Sequence, residues 1–236
     1  MLLTASAQTE FIVKGKIEFE RKTNLHKQLE NEEDETWREM IMKTTPPTKS
    51  NYFDLYFNGS KTIYTPGREV VTAKKVPEWI EGPASDNVVY TDLDQQIYNS
   101  QKTVFDDVYN IQDSVNKVKW RITPDTRTIA GFECRRATAV IMDSVFVVAF
   151  YTEQIITPGG PESFSGLPGM ILGLAIPRLN TTWYATKLEM IDVKETTLVP
   201  PKKGKKTNMI SLKGQLQPAM KNWGKMGSKN IWQILI

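Results

Sequence analysis

The 236-residue chain holds one cysteine and one histidine. One cysteine excludes an intramolecular disulfide, and a chain of this length buries enough core to do without one. One histidine and one cysteine together cannot supply the usual Cys/His zinc set. Any Ser-His-Asp or Cys-His arrangement has to use His26, which lies in the polar stretch Asn24-Leu25-His26-Lys27 and reads as a surface residue. A Gly-x-Ser-x-Gly elbow is missing as well. No apolar run reaches the eighteen residues of a membrane-spanning helix. No metal, cofactor or transmembrane segment is therefore expected, and no catalytic residue is assigned.

What remains is a soluble globular composition, 40% apolar and 24% charged. Charge is unevenly spread. Residues 194–236 carry nine lysines and one glutamate, while the rest of the chain has an excess of acid. The cluster Lys202, Lys203, Lys205 and Lys206 is a candidate contact for an anionic surface, with a solvated loop as the plain alternative; nucleic acid is not expected as a partner. Cys134 reads as a small buried residue in a strand.

The hydrophobic pattern is that of strands. Phe11, Val13, Gly15, Ile17 and Phe19 alternate with Lys14, Lys16, Glu18 and Glu20. Short strand-like runs recur about every ten residues: 51–57, 61–65, 87–91, 95–99, 102–109, 117–123, 129–142, 145–152, 170–176, 181–193 and 207–213. Turn signals such as Asn58-Gly59 and Pro66-Gly67 separate them. Residues 31–40 read as a short helix stopped by Pro46-Pro47, and 218–223 as another. The spacing predicts a mainly β fold, an antiparallel β-rich half-barrel or sandwich with one or two short helices. Three segments are expected: 1–7, 8–199 as the β domain, and 200–236 as a basic extension packing on it. Met1 to Gln8 resembles the end of a signal peptide, with Ala5-Ser6-Ala7 as a small-x-small cleavage site. This predicts a periplasmic or secreted protein.

Carboxylates are the remaining source of chemistry. Asp92, Asp94, Asp106 and Asp107 could supply oxygen ligands or an acid/base pair, although adjacent strand residues point to opposite faces. Glu153 is a candidate ligand contact or ion-pair partner of Arg135 or Arg136. Trp79, Trp183, Tyr184, Trp223 and Trp232 could line a concave pocket. Trp183 and Tyr184 are neighbours on a strand, so one faces in and the other out.

The most distinctive stretch is Phe164-Ser165-Gly166-Leu167-Pro168-Gly169, running into the apolar Met170-Ile171-Leu172. Pro168 suits the first corner of a type II turn and Gly169 the second, where φ is positive. Gly160-Pro161 forms a second stiff turn. With Trp120-Arg121-Ile122, Gly131-Phe132-Glu133-Cys134 and Ala149-Phe150-Tyr151-Thr152-Glu153, this series resembles the GLPGLI family of exported proteins from diderm bacteria. Phe150 and Met170 depart from the usual Trp and Leu while keeping apolar bulk. The resemblance implies fold and compartment, and no established activity comes with it. Gly160, Pro161, Phe164, Gly166, Leu167, Pro168 and Gly169 would act through backbone geometry. The expectation that follows is a non-catalytic exported accessory factor with an outer-membrane β-barrel or other envelope protein as partner. The alternatives are a lipid or hydrophobic-ligand carrier of the open-barrel type and a carboxylate-dependent hydrolase.

Overall fold

A computed structural model describes residues 11–30, 34–70 and 76–236. The cleavage-site residues 5–8 and part of the acidic run, Asn31 to Glu33, lie outside the described residues. Twelve strands form one open sheet: β1 Lys14–Asn24, β2 Thr48–Asn58, β3 Lys61–Pro66, β4 Val88–Asp92, β5 Ile97–Val104, β6 Asp107–Ser114, β7 Arg121–Ile129, β8 Phe132–Ile141, β9 Val145–Thr152, β10 Met170–Ile176, β11 Thr181–Glu189 and β12 Lys205–Thr207. Five short helices accompany them: α1 Leu25–Leu29, α2 Glu35–Thr44, α3 Glu78–Glu81, α4 Met209–Ala219 and α5 Gly224–Leu235. The fold is mainly β and antiparallel, as the strand spacing predicts. Among the described residues no helix is long and apolar enough to cross a membrane.

The strand order is β12-β6-β5-β4-β3-β2-β1-β11-β10-β9-β8-β7. Two meanders explain it. β1 to β6 step outward in one direction, and β7 to β11 begin at the opposite edge and step back until β11 pairs with β1. Of the twelve strands only β12 is parallel to its neighbour, laid along β6.

Alternation decides which side chains face inward. Ile17 and Phe19 of β1 join Phe53, Leu55 and Phe57 of β2, Val147 and Ala149 of β9, and Leu174 of β10 in one core. Each of the larger side chains contributes roughly 1.5–3 kcal/mol through burial. The expected row is shorter at its start, since Phe11 and Val13 are exposed and the strand begins at Lys14. The inner face is covered by Leu212 and Leu216 of α4, Ile234 of α5, Ile236, and Phe164 and Leu167 of the glycine-proline loop.

Several expected boundaries move. Residues 102–109 are not one strand, because the chain reverses at Phe105-Asp106 with Val104 opposite Asp107. Residues 207–213 belong mostly to a helix. Asn208 caps α4 by accepting from Ser211 N at 2.8 Å, which favours helix over the apparent alternation of Thr207, Met209 and Ser211.

The glycine-proline loop seats on β9 and β10. Its ties are Ile171 N to Gly159 O, 2.8 Å, and Trp120 Nε1 to Ser165 O, 2.9 Å. Gly169 has φ +142, and a Cβ there would overlap the Thr152 carbonyl. Leu167 O accepts from Gly169 N at 2.7 Å, so the turn at Pro168 closes over three residues rather than four. A Cβ on Gly160 would stand 2.8 Å from Ile171 Cβ.

Candidate functional site

The inner face of the sheet is not uniformly apolar. On β1 the row Ile17, Phe19 continues into Arg21, and on β5 the row is Tyr98, Ser100, Lys102, Val104. Tyr64 of β3 and Trp183 of β11 complete a buried polar floor. Glu162, held at φ +56 just after Gly160-Pro161, lowers its carboxylate into this floor. Its Oε2 accepts from Asn87 Nδ2 at 2.9 Å. Lys102 is almost wholly buried, and its Nζ donates to Ile234 O at 3.1 Å. Burial pushes the Lys102 ammonium down to about 8; Glu162 opposes that shift and Arg21 adds to it. Burial, reinforced by Glu162, raises the Tyr64 hydroxyl well above its ordinary value.

Among the described residues several polar atoms here lack a well-formed hydrogen bond: Arg21 Nε, Asn87 Oδ1 and Gln233 Oε1, and Trp183 Nε1, which has only the Tyr64 hydroxyl near it. A buried polar atom left unmatched costs about 1–3 kcal/mol. These four residues, with Glu162, line a narrow polar pit of about 30 Å³.

Next to the pit lies a larger cleft of about 580 Å³. Glu81, Pro83 and Ala84 line both. The outer wall is aromatic. Phe105, from the β5–β6 turn, meets Trp223, just ahead of α5, edge to face with ring centroids 5.5 Å apart. Both rings are about half exposed, at 48% and 47%. Asp86, Asp106, Ser85 and Asn230 supply polar groups around them. Phe105 has φ +54, a conformation that a bulky residue seldom takes and that costs about 1–3 kcal/mol. The strain holds an aromatic ring out of the core and over the cleft.

Such a cleft suits a ligand with one weakly polar face and a rim of hydroxyls. Aromatic faces carry negative quadrupole charge and attract C–H groups, while carboxylates and amides fix hydroxyls.

The residues singled out from the sequence lie in four places. Gly160, Pro161, Phe164, Gly166, Leu167, Pro168 and Gly169 form the loop described above. Arg135 Nη1 and Glu153 Oε1 are 3.4 Å apart in a half-exposed ion pair, and Arg136 pairs with Asp125 at 2.9 Å. Trp183 points into the buried floor, whereas Tyr184 points outward, accepting from Arg127 Nη1 at 3.1 Å. Lys202, Lys203, Lys205 and Lys206 are exposed at the β12 edge, where Lys205 pairs with Asp107 at 2.6 Å.

The carboxylates do not converge. Asp92 is buried in a turn, accepting from Asp94 N and Gln95 N; Asp94 accepts from Ser60; Asp107 holds Lys205. Of the five acids, Asp106 alone lines the cleft. His26 Nε2 lies 3.2 Å from Thr45 O, and Cys134 is buried, its thiol pushed up to about 11 by burial. Among the described residues no group of three His, Cys, Asp or Glu side chains stands close enough to hold a metal ion.

Arg21, Lys102, Glu162 and Phe105 are not among the candidates that the sequence offers. Arg21 and Lys102 do carry a signal, a charge in phase with a buried apolar row. Trp223 is legible only as one ring among several.

A family model described as "N-glycanase peptide, N-terminal domain" matches residues 58–214, more than half of the chain. Two crystal structures of PNGF-II, in space groups P21 and C2, share the fold with a TM-score of 0.54 each, at 13% and 12% identity. The comparison covers 90% of this chain and 33% of each PNGF-II chain, so the chain spans a third of their length. No curated protein matches.

These findings overturn two expectations. The match is not to the GLPGLI family: the glycine-proline series lies inside the N-glycanase match and acts as a loop-seating device, so it specifies backbone geometry more than lineage. The expectation of a non-catalytic accessory factor that rested on it falls too, since the matching family model is that of an N-glycanase N-terminal domain. The chain belongs to the N-glycanase peptide N-terminal domain family.

Proposed function

We propose that this chain is a glycan-directed domain of N-glycanase type, and that the Phe105–Trp223 cleft receives a saccharide of the asparagine-linked class. Family membership supports the substrate class. The observation that carries the site is the strained Phe105, which sets a half-exposed ring against Trp223 above a rim of Asp86, Asp106 and Asn230. The two-residue β5–β6 turn requires a positive φ at its first corner, and filling that corner with Phe105 where glycine would be free of strain sets a ring at the cleft. An aromatic face of the Phe105–Trp223 pair takes the C–H face of a sugar ring, and Asp86 and Asp106 accept hydrogen bonds from its hydroxyls.

The test is a calorimetric titration of the full chain with N,N′-diacetylchitobiose, followed in parallel by tryptophan fluorescence. Saturable binding is expected. Trp223→Ala should weaken it by about tenfold, equivalent to about 1.4 kcal/mol, with an unchanged denaturation midpoint. Absence of binding, or full binding by the variant, would sink the reading.

A further inference from the structure

The polar pit beside the cleft has no role in the reading above, and its chemistry is specific. Arg21 Nε and Trp183 Nε1 are donors and Asn87 Oδ1 and Gln233 Oε1 acceptors; among the described residues none of the four makes a well-formed hydrogen bond, Trp183 having only the Tyr64 hydroxyl near it. Arg21, Asn87 and Trp183 are each at least nine-tenths buried. Alternatives for Arg21 and Asn87 are already used. The Arg21 guanidinium lies over the Phe53 ring at 5.2 Å, and Asn87 Nδ2 is committed to Glu162. The Arg21 and Asn87 side chains are therefore held in place.

A site that presents donors and acceptors together fits a group that does both. A simple anion meets the wrong charge at Glu162 and the two amide oxygens, and a cation meets Arg21. A hydroxyl serves both sides: it accepts from Arg21 and Trp183 and gives its single hydrogen to Asn87 or Gln233. Size narrows the choice. About 30 Å³ admits a hydroxyl with its carbon and excludes a sugar ring. The part of a hexose that projects beyond its ring and ends in a hydroxyl is the exocyclic hydroxymethyl arm. The wall residues Glu81, Pro83 and Ala84 belong to pit and cleft alike, so the two lie side by side.

Building on the saccharide reading of the cleft, we propose that the pit is a specificity pocket for the hydroxymethyl arm of the bound hexose, read by Arg21, Trp183, Asn87 and Gln233. A site built to hydrogen-bond a hydroxyl rejects the analogue lacking it, because its buried polar atoms are then left unmatched.

The experiment titrates the full chain with methyl N-acetyl-β-glucosaminide and with its 6-deoxy analogue, followed by ¹H–¹⁵N spectra of the tryptophan indoles. Trp183→Phe assigns the Trp183 signal. The 6-deoxy analogue should bind at least about tenfold more weakly, and the Trp183 indole should move with the parent glycoside alone. Gln233→Leu, on a side chain that is only partly buried, should lower affinity for the parent toward that for the analogue and erase the discrimination. Equal affinities with a stationary Trp183 indole would overturn the pocket, showing a pit that holds water only, while leaving the cleft reading intact. Absence of binding by either glycoside would overturn both.

Discussion

Asn87 and Glu162 meet inside the protein, amide nitrogen to carboxylate oxygen at 2.9 Å, across seventy-five residues of sequence. The contact joins the segment before β4 to the glycine-proline loop. It also fixes the one carboxylate that shifts both Lys102 and Tyr64. Removing that carboxylate leaves the buried cations without an opposite charge. Glu162→Leu should destabilise the fold by about 3–5 kcal/mol, and Glu162→Gln by less, because an amide still meets Asn87. Urea denaturation of the two variants checks the order; a neutral Glu162→Leu would refute it.

Lys102 gives the fold a pH dependence of defined sign. Its folded pKa, about 8, lies below the ordinary 10.5, so between these values the unfolded chain binds the extra proton. Stability contributed by this group therefore rises as pH climbs from 8 toward 10.5, with a slope of at most about 1.4 kcal/mol per pH unit for one proton. Lys229, also lowered to about 8 by burial, acts in the same direction. Tyr64 and Tyr98 favour the neutral form and oppose the trend only where free tyrosine ionises, near 10 and above. Lys102→Met should flatten the slope between about pH 8 and 10. Denaturation midpoints over that range decide it, and an unchanged slope counts against a buried ammonium.

Two glycines should respond in opposite ways. Gly169→Val puts a Cβ into the Thr152 carbonyl at a φ that disfavours side chains. A loss of about 3 kcal/mol or more is expected. Gly214 sits within α4 with open space where a side-chain carbon would stand, and Gly214→Ala should gain about 0.5–1 kcal/mol. Thermal melts of the pair test both the loop and the helix.

Phe105→Gly separates stability from binding. Glycine adopts φ +54 without strain, so the variant should be as stable as the parent or more so by about 1 kcal/mol. It should also lose much of its chitobiose affinity. A variant that is destabilised and still binds fully would show that the ring belongs to the fold and not to the cleft.

The elements most legible in the sequence are those with a clean period or clean punctuation. Met170–Ile176 is a short apolar run bounded by turns, and its expected bounds coincide with β10. The β5–β6 hairpin reads as one strand because its turn is Phe105-Asp106, without the glycine or asparagine that marks most reversals. The α4 helix is hidden because Thr207, Met209 and Ser211 mimic a strand until the Asn208 cap is considered. Among the site residues, Arg21 follows Phe19 in the same inward row, and that phase is visible in the sequence. What it does not carry is distance: Asn87, Glu162, Trp183 and Gln233 come from remote segments brought together by the two converging meanders and by α5.

The edges of the sheet have a consequence for behaviour at high concentration. Twelve hydrogen-bonded strands side by side form a surface that another copy could extend, strand upon strand, without limit. At one end the terminal strand is the three-residue β12, which offers too few free amides to template a neighbour. At the other, β7 carries Pro124, a register break between Ile122 and Thr126, and the charges of Arg121, Asp125 and Arg127. Proline withholds an amide, the break twists the edge, and each charge would be stripped of water by an incoming strand. The protein thus keeps a wide sheet while both margins resist growth into fibrils.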